Sequence, residues 1–343
     1  MSTIYGQDHI LRELDSELAQ NRLSHAYLLV GAPHIGKMSL ALHFAKTINC
    51  LNLYDGTPCQ NCNQCIRISN AQHPDVCIET LGTMLNDSSR TAMSMHINQI
   101  RDVLHRVNLS PFESSHKIII FEKAELLNQE SGNALLLTLE EPPPNVVFFL
   151  LTDKENAMLS TIHSRCRKLQ LHTLPKREVS NYLIEKHHVE PSVAEQLARL
   201  SQGCLGSAIN SIINTEILID RTNQITKVYE TSQSPLQTRF AYASEIAETF
   251  REDRASAKNI LFFWQRWWRD LLLVKIGTED FIFNLDYISE LRLHASSLAQ
   301  TQVVNFLKCL EDTISHLDRN VNARLAMEVL MLNLPVSRHI QKS

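Results

Sequence analysis

Apolar positions along this chain recur with two periods, which alternate as far as about residue 172. Ile10, Leu11, Leu14 and Leu18 fall at helical spacing and predict a helix after the Gly6-Gln7-Asp8 turn. Residues 27–30 form a short unbroken apolar run, the mark of a buried strand. A glycine loop follows, then a helix to about Asn49. Residues 76–81 predict a strand, and the Ser- and Met-rich stretch 83–95 a loop. Ile97, Ile100, Val103, Leu104 and Val107 share one face of a helix. Residues 117–122 run apolar into Glu122, again a buried strand. A helix over 128–141 is stopped by Pro142-Pro143-Pro144. Strands at 146–151 and 168–171 complete the series. This alternation predicts a doubly wound parallel α/β sheet over 1–172. Three short helical patterns over 175–213 predict a small all-α domain at 173–215, and helical spacing throughout the remainder an all-α domain at 216–343. The aromatics Phe262, Phe263, Trp264, Trp267 and Trp268 fall on the heaviest apolar face of that last part, where helix packing explains them better than base stacking.

Composition and charge sharpen this outline. At 343 residues the chain is too long for one core and suits two or three domains. A net charge of −4 gives no global signature of nucleic-acid binding, so any such surface is local. No basic-then-apolar leader and no membrane-length apolar run is present, which predicts a cytoplasmic protein. Of 8 cysteines, four are clustered as Cys50, Cys59, Cys62 and Cys65, spaced C-x8-C-x2-C-x2-C. In a cytoplasmic chain that spacing favours a tetrahedral structural zinc over disulfides, and four thiolates leave no open position for catalysis. Cys77, Cys166, Cys204 and Cys309 are isolated and predict small buried side chains.

The candidate chemistry centres on Gly31-Ala32-Pro33-His34-Ile35-Gly36-Lys37-Met38-Ser39. A glycine loop between strand and helix lets backbone N–H groups close on phosphates at a positive helix end, with Lys37 reaching the β and γ phosphates. The match is incomplete. Met38 stands where Ser or Thr should ligate magnesium, and a thioether suits that hard cation poorly. Ser39 comes one residue late and should point elsewhere. Glu122 ends its strand where a nucleotide-binding sheet keeps a carboxylate near the metal, but Lys123 holds the place of the acid that orients water. Gly31, Gly36, Lys37, Ser39, Glu122 and Thr152 are therefore candidates for a degenerate nucleotide site, with ATP or ADP binding in doubt.

Several stretches carry a family resemblance. They are Ile4-Tyr5-Gly6-Gln7, His25-Ala26-Tyr27-Leu28, the four-cysteine insert, Asn133-Ala134-Leu135-Leu136-Leu137-Thr138-Leu139-Glu140-Glu141-Pro142-Pro143 and Ser164-Arg165-Cys166. Together, over roughly residues 4–213, they resemble the bacterial DNA polymerase III clamp loader, a branch of the AAA+ ATPases. The resemblance implies an AAA+ domain with a zinc-binding insert, a helical lid at 173–215 and a helical oligomerisation collar at 216–343. It also implies a sensor arginine within 203–208, where this chain has Gly206. With Met38 and Lys123 that makes three departures from the motor pattern, and it implies the subunit type that keeps the Ser-Arg-Cys triplet without hydrolysing ATP itself. Arg165 is then an arginine finger acting in trans, with Ser164 and Cys166 holding its loop. The implied partners are gamma/tau and delta subunits in a hetero-pentamer and, indirectly, the sliding clamp and primer-template DNA during replication. The competing readings are an active gamma/tau-type ATPase and a zinc-containing nucleic-acid-binding module on a vestigial nucleotide fold.

Overall fold

Five parallel strands form the centre of the N-terminal part, in the order β2-β3-β4-β1-β5. The computed structural model describes residues 4–20, 22–54, 56–80, 97–214, 216–319 and 321–335. The loop expected at 83–95 lies outside the described residues. In chain order come α1 (Asp8–Ala19), β1 (Ala26–Val30), α2 (Lys37–Asn49), α3 (Asn63–Ser69), β2 (Val76–Thr80), α4 (Ile97–Val107), β3 (Lys117–Glu122), α5 (Gln129–Glu140), β4 (Val146–Thr152), α6 (Ser160–His163) and β5 (Arg167–Gln170).

Alternation along each strand divides its side chains between two cores. Tyr27, Leu29, Ile118, Ile120, Phe149 and Leu151 pack on one face with Ile10 and Leu14 of α1 and Leu40, Ala41 and Phe44 of α2. Leu28, Val30, Ile119, Phe121, Phe148 and Leu150 pack on the other with Ile100 and Val103 of α4 and Leu135 and Leu139 of α5. Both faces are covered, which is why the strands read as unbroken apolar runs. The register pairs Val30 with Thr152, and the Gly31 N–H donates to the Thr152 carbonyl at 3.2 Å. The first turn after β1 and the ends of β3 and β4 thus meet at the carboxyl edge of the sheet, where open α/β sheets bind ligands.

The helix α3 has no counterpart among the predicted elements. It is seven residues long and begins on the cysteine module, with the Cys62 sulfur as N-cap acceptor from the Cys65 N–H. That sulfur does what a Ser or Asp oxygen usually does, so the ordinary sequence signal for a helix start is missing. Of the isolated cysteines only Cys204 is fully buried; Cys77, Cys166 and Cys309 are half-buried, contrary to expectation, because each sits at the margin of a core.

Beyond the sheet lie α7 (Lys176–His187), α8 (Pro191–Leu200) and α9 (Leu205–Ile213). They are followed by α10 (Glu216–Gln233), α11 (Leu236–Glu252), α12 (Arg254–Lys275), α13 (Ile288–Ser297), α14 (Gln300–Asp318) and α15 (Ala323–Leu332). The chain divides into two compact units, 1–194 with 201–208, and 195–200 with 209–343. In the second unit Trp264, Trp267 and Trp268 of α12 are completely buried among α10, α11, α13 and α14, as helix packing predicts, while Phe262 is exposed. Among the described residues no helix is long and apolar enough to cross a membrane.

Candidate functional site

Five of the six candidate nucleotide-site residues line one cleft of about 460 Å³ at the carboxyl edge of the sheet. Gly36, Lys37, Ser39, Glu122 and Thr152 are joined there by Met38, Lys123, Glu125, Asp153 and Gly206. Gly31 lies beside it and takes part through its carbonyl, which accepts from Lys37 Nζ at 2.7 Å; the Ala32 carbonyl accepts from the same nitrogen at 2.9 Å. Gly36 caps α2 at φ 109°, a conformation that requires glycine. Ser39 corrects an expectation: on the first turn of α2 it still faces the cleft.

The charges in this cleft differ from those a magnesium–nucleotide site needs. Glu122 accepts from Thr80 Oγ1 at 3.2 Å. Lys123 has the left-handed backbone at φ 56°, ψ 53°, and starts a short 3-10 turn that brings Glu125 to the cleft. Burial raises the Glu125 carboxyl above the ordinary range, and its hydrogen bond with Asp153 and that group's charge add to this; its own N–H and Thr152 oppose the shift. Burial pulls the Lys37 ammonium down, against the attraction of Asp153 and Glu125. Sequence reasoning passed over the Glu125–Asp153 pair; its only signal is Glu125 lying three residues beyond Glu122, one turn of a tight helix away.

Gly206 sits against the loop itself. A Cβ at this position would lie 2.5 Å from the His34 carbonyl oxygen, so any side chain, arginine above all, must displace the loop backbone. The Gly203 carbonyl accepts from the Leu174 N–H at 2.9 Å and Cys204 is buried in the core shared by α1 and α2, which holds this approach in place.

Arg165 is not among the residues lining this cleft. It follows α6, and its side chain is 34% exposed. Its Nη1 donates to the Thr161 carbonyl at 2.9 Å and to Ser164 Oγ at 3.3 Å, and its Nη2 to Glu140 Oε1 at 2.5 Å. Ser164 Oγ in turn donates to the Thr161 carbonyl at 3.0 Å. Cys166 packs against the core shared by α4 and α5, and burial pushes its thiol up to about 12.

Cys50, Cys59, Cys62 and Cys65 form a separate cluster whose sulfurs all lie within 4.8 Å of one another. Thiolate–zinc bonds of about 2.3 Å at tetrahedral angles put neighbouring sulfurs about 3.8 Å apart, so the donor set fits that ion. The Cys59 N–H donates to Cys50 Sγ and the Cys62 N–H to Cys59 Sγ, both at 3.3 Å. Burial opposes ionisation of Cys62, but N–H donors from Cys65 and Leu51 and the neighbouring thiols lower it to about 6. This is the only such cluster among the described residues, and it can hold a metal ion.

Comparison with known proteins agrees with this geometry. The family described as DNA polymerase III, delta subunit, matches residues 6–175. The chain is 29% identical over 328 residues to the Bacillus subtilis DNA polymerase III subunit delta', covering 96% of each. It is 33% identical over 212 residues to the Escherichia coli DNA polymerase III subunit tau, covering 60% of this chain but only 31% of that protein. A gamma-subunit-related protein of Thermotoga maritima, 16% identical with coverage of 94% and 97% and a TM-score of 0.44, is too distant to weigh further. With a five-stranded parallel sheet, a four-cysteine cluster and a delta' relative matched along nearly its whole length, this chain is a homologue of the clamp-loader subunits of DNA polymerase III, and of delta' from end to end.

Proposed function

We propose that this chain is the clamp-loader subunit that does not hydrolyse ATP itself but completes the ATP site of a neighbouring gamma/tau subunit through Arg165, and so helps to load the sliding clamp onto primed DNA. The observation that carries the reading is the separation of the two chemistries. The arginine is presented at the surface away from the chain's own cleft, and that cleft has Lys123 where a water-orienting acid belongs. An arginine stays charged and offers a rigid fork to the γ phosphate, and such fingers contribute roughly 10³–10⁵ in rate. Glu122, Glu125 and Asp153 bring three carboxyl groups against Lys37 and Lys123, a balance adverse to a polyphosphate.

The other parts follow from the same reading. Cys50, Cys59, Cys62 and Cys65 hold one structural zinc that fixes the insert. The helices over 173–215 act as a lid, and those over 216–343 as a collar joining gamma/tau and delta subunits in a hetero-pentamer. Clamp and primer-template DNA are partners of the assembly.

The test is steady-state ATP hydrolysis by the chain alone and mixed with its cognate motor subunits, wild type beside Arg165→Ala. The expected result is no turnover alone and a mixed rate that falls without Arg165. Robust hydrolysis by the isolated chain, lost in Lys37→Ala, would identify a motor subunit instead.

A further inference from the structure

Arg165 is held by two elements rather than one. Both contacts of its Nη1 belong to the α6 turn that precedes it, Thr161 and Ser164. The contact of its Nη2 comes from Glu140, the last residue of α5. One anchor at one corner leaves the guanidinium plane free to swing; a second, on a different element, fixes it. Three of its five N–H donors are used in these contacts, and two remain for a phosphate.

Glu140 reaches this point because α5 ends there. Pro142-Pro143-Pro144 cannot continue the helix, and the α5 C-terminus adds its partial negative charge to the carboxylate. The pair is open to a partner: the side chains of Arg165 and Glu140 are 34% and 47% exposed. The Leu-Glu-Glu-Pro-Pro block and the Ser-Arg-Cys triplet, 25 residues apart in sequence at this contact, are thus joined by one ion pair.

We infer that Glu140 is a positioning residue for Arg165, holding the guanidinium in the pose from which it meets a phosphate bound to a neighbouring subunit. This rests on the trans role proposed above. The gain is preorganisation: a long arginine side chain that is already ordered loses less rotamer freedom on meeting its ligand. An exposed ion pair contributes up to about 1 kcal/mol, a factor of about five.

The test uses the full chain assembled with its motor subunits, comparing wild type, Glu140→Ala, Glu140→Gln, Arg165→Ala and the Glu140→Ala/Arg165→Ala double variant, with assembly checked by gel filtration. The Arg165-dependent part of the rate is the difference between wild type and Arg165→Ala. Glu140→Ala should lower that part about two- to fivefold in kcat with KM for ATP unchanged, because the arginine acts on charge that develops in the transition state. Glu140→Gln, which keeps an acceptor oxygen, should recover part of the loss. In the Arg165→Ala background the remaining rate should not move. A kcat in Glu140→Ala that stays level or rises while Arg165→Ala is impaired would overturn the positioning role alone. An equal fall in both backgrounds would also overturn it and assign Glu140 to the subunit interface. If Arg165→Ala leaves the rate untouched, the trans reading itself has failed.

Discussion

Gly206→Ala adds one methyl group at the junction of α9 and the phosphate-type loop. Its Cβ would lie 2.5 Å from the His34 carbonyl oxygen and 3.3 Å from the carbonyl carbon. Ordinary contacts of this kind begin at 3.4 Å and essentially none is shorter than 3.0 Å, so helix and loop must part by 0.5 Å (3.0 − 2.5) to 0.9 Å (3.4 − 2.5). The obstructing atom is backbone, which cannot turn aside as a side-chain tip does. Overpacking of this size costs about 1–3 kcal/mol, and replacing glycine in a helix returns up to about 1 kcal/mol. Because the obstacle is backbone, the upper part of that range applies, about 2–3 kcal/mol, and the returned 1 kcal/mol leaves a net local loss of about 1–2 kcal/mol. Hydrogen exchange followed by mass spectrometry on the full chain reads it directly, in peptides spanning 31–40. The reporters are the Ile35 and Leu40 N–H groups, bonded to the Ala32 and Gly36 carbonyls at 3.3 and 2.9 Å. At tenfold per 1.4 kcal/mol, their exchange should quicken about five- to thirtyfold. Unchanged or slower exchange would refute the reasoning, because the loop would then give way without cost. By the same contact, Gly206→Arg should disturb the cleft and not create ATP turnover.

Two further predictions concern the second unit and the cysteine module. His294 is buried against Trp267 and Trp268, accepts from Trp267 Nε1 at 3.3 Å, and has its pKa lowered by burial from 6.5 to about 4. The unfolded chain therefore takes up a proton that the folded one refuses, and stability is lost as pH falls from about 6.5 to 4, by up to about 3 kcal/mol at 1.36 per unit. All 3 tryptophans lie in α12, so the urea midpoint followed by their fluorescence should fall from pH 7 to 5, and fall less in His294→Gln; a flat profile counts against it. For the cysteines, elemental analysis should find one zinc per chain, absent in Cys62→Ser, and chelation should open 50–69 to proteases while the tryptophan transition stays in place. A chain purified without metal, yet ordered through 50–69, would dismiss the zinc.

What the chain discloses about its fold depends on how local the cause is. The strands were legible because burial on both faces makes 118–121 and 146–151 apolar without interruption, and α4 because its apolar stripe has the period of its own backbone. The helix α3 was not, since its cap is a cysteine sulfur and its seven residues hold too few turns for a period to show. Lys37, Glu122 and Thr152 could be placed at one cleft because each ends or follows a strand. Glu125 and Asp153 could not be paired, nor Arg165 with Glu140, because those meetings depend on how a 3-10 turn and a helix end approach their neighbours in space. Gly206 illustrates both sides. Its type showed in the sequence as an absent arginine; that the His34 carbonyl occupies the room for a side chain is a tertiary fact.

These contacts also explain why the cleft can lose its chemistry while the surface arginine keeps its geometry. The loop, Lys37 and the end of β3 are tied into the first core, where Leu40, Phe44 and Ile118 pack, and serve the fold whether or not nucleotide binds. The Lys37 ammonium already has two carbonyl partners of its own chain, so it needs no phosphate to be paired. Met38, half-buried against that same core, and Lys123, just beyond the end of β3, leave the strand pairing intact. Arg165 depends on another set of supports, the α6 turn, the end of α5 and the second core beneath Cys166. A defect on the cleft side, such as Lys37→Ala, should then leave the mixed-complex rate near wild type, whereas one at Arg165 should not. Were both to lower it alike, the cleft would be coupled to the finger, and the independence of these two sets of supports would be the step in error.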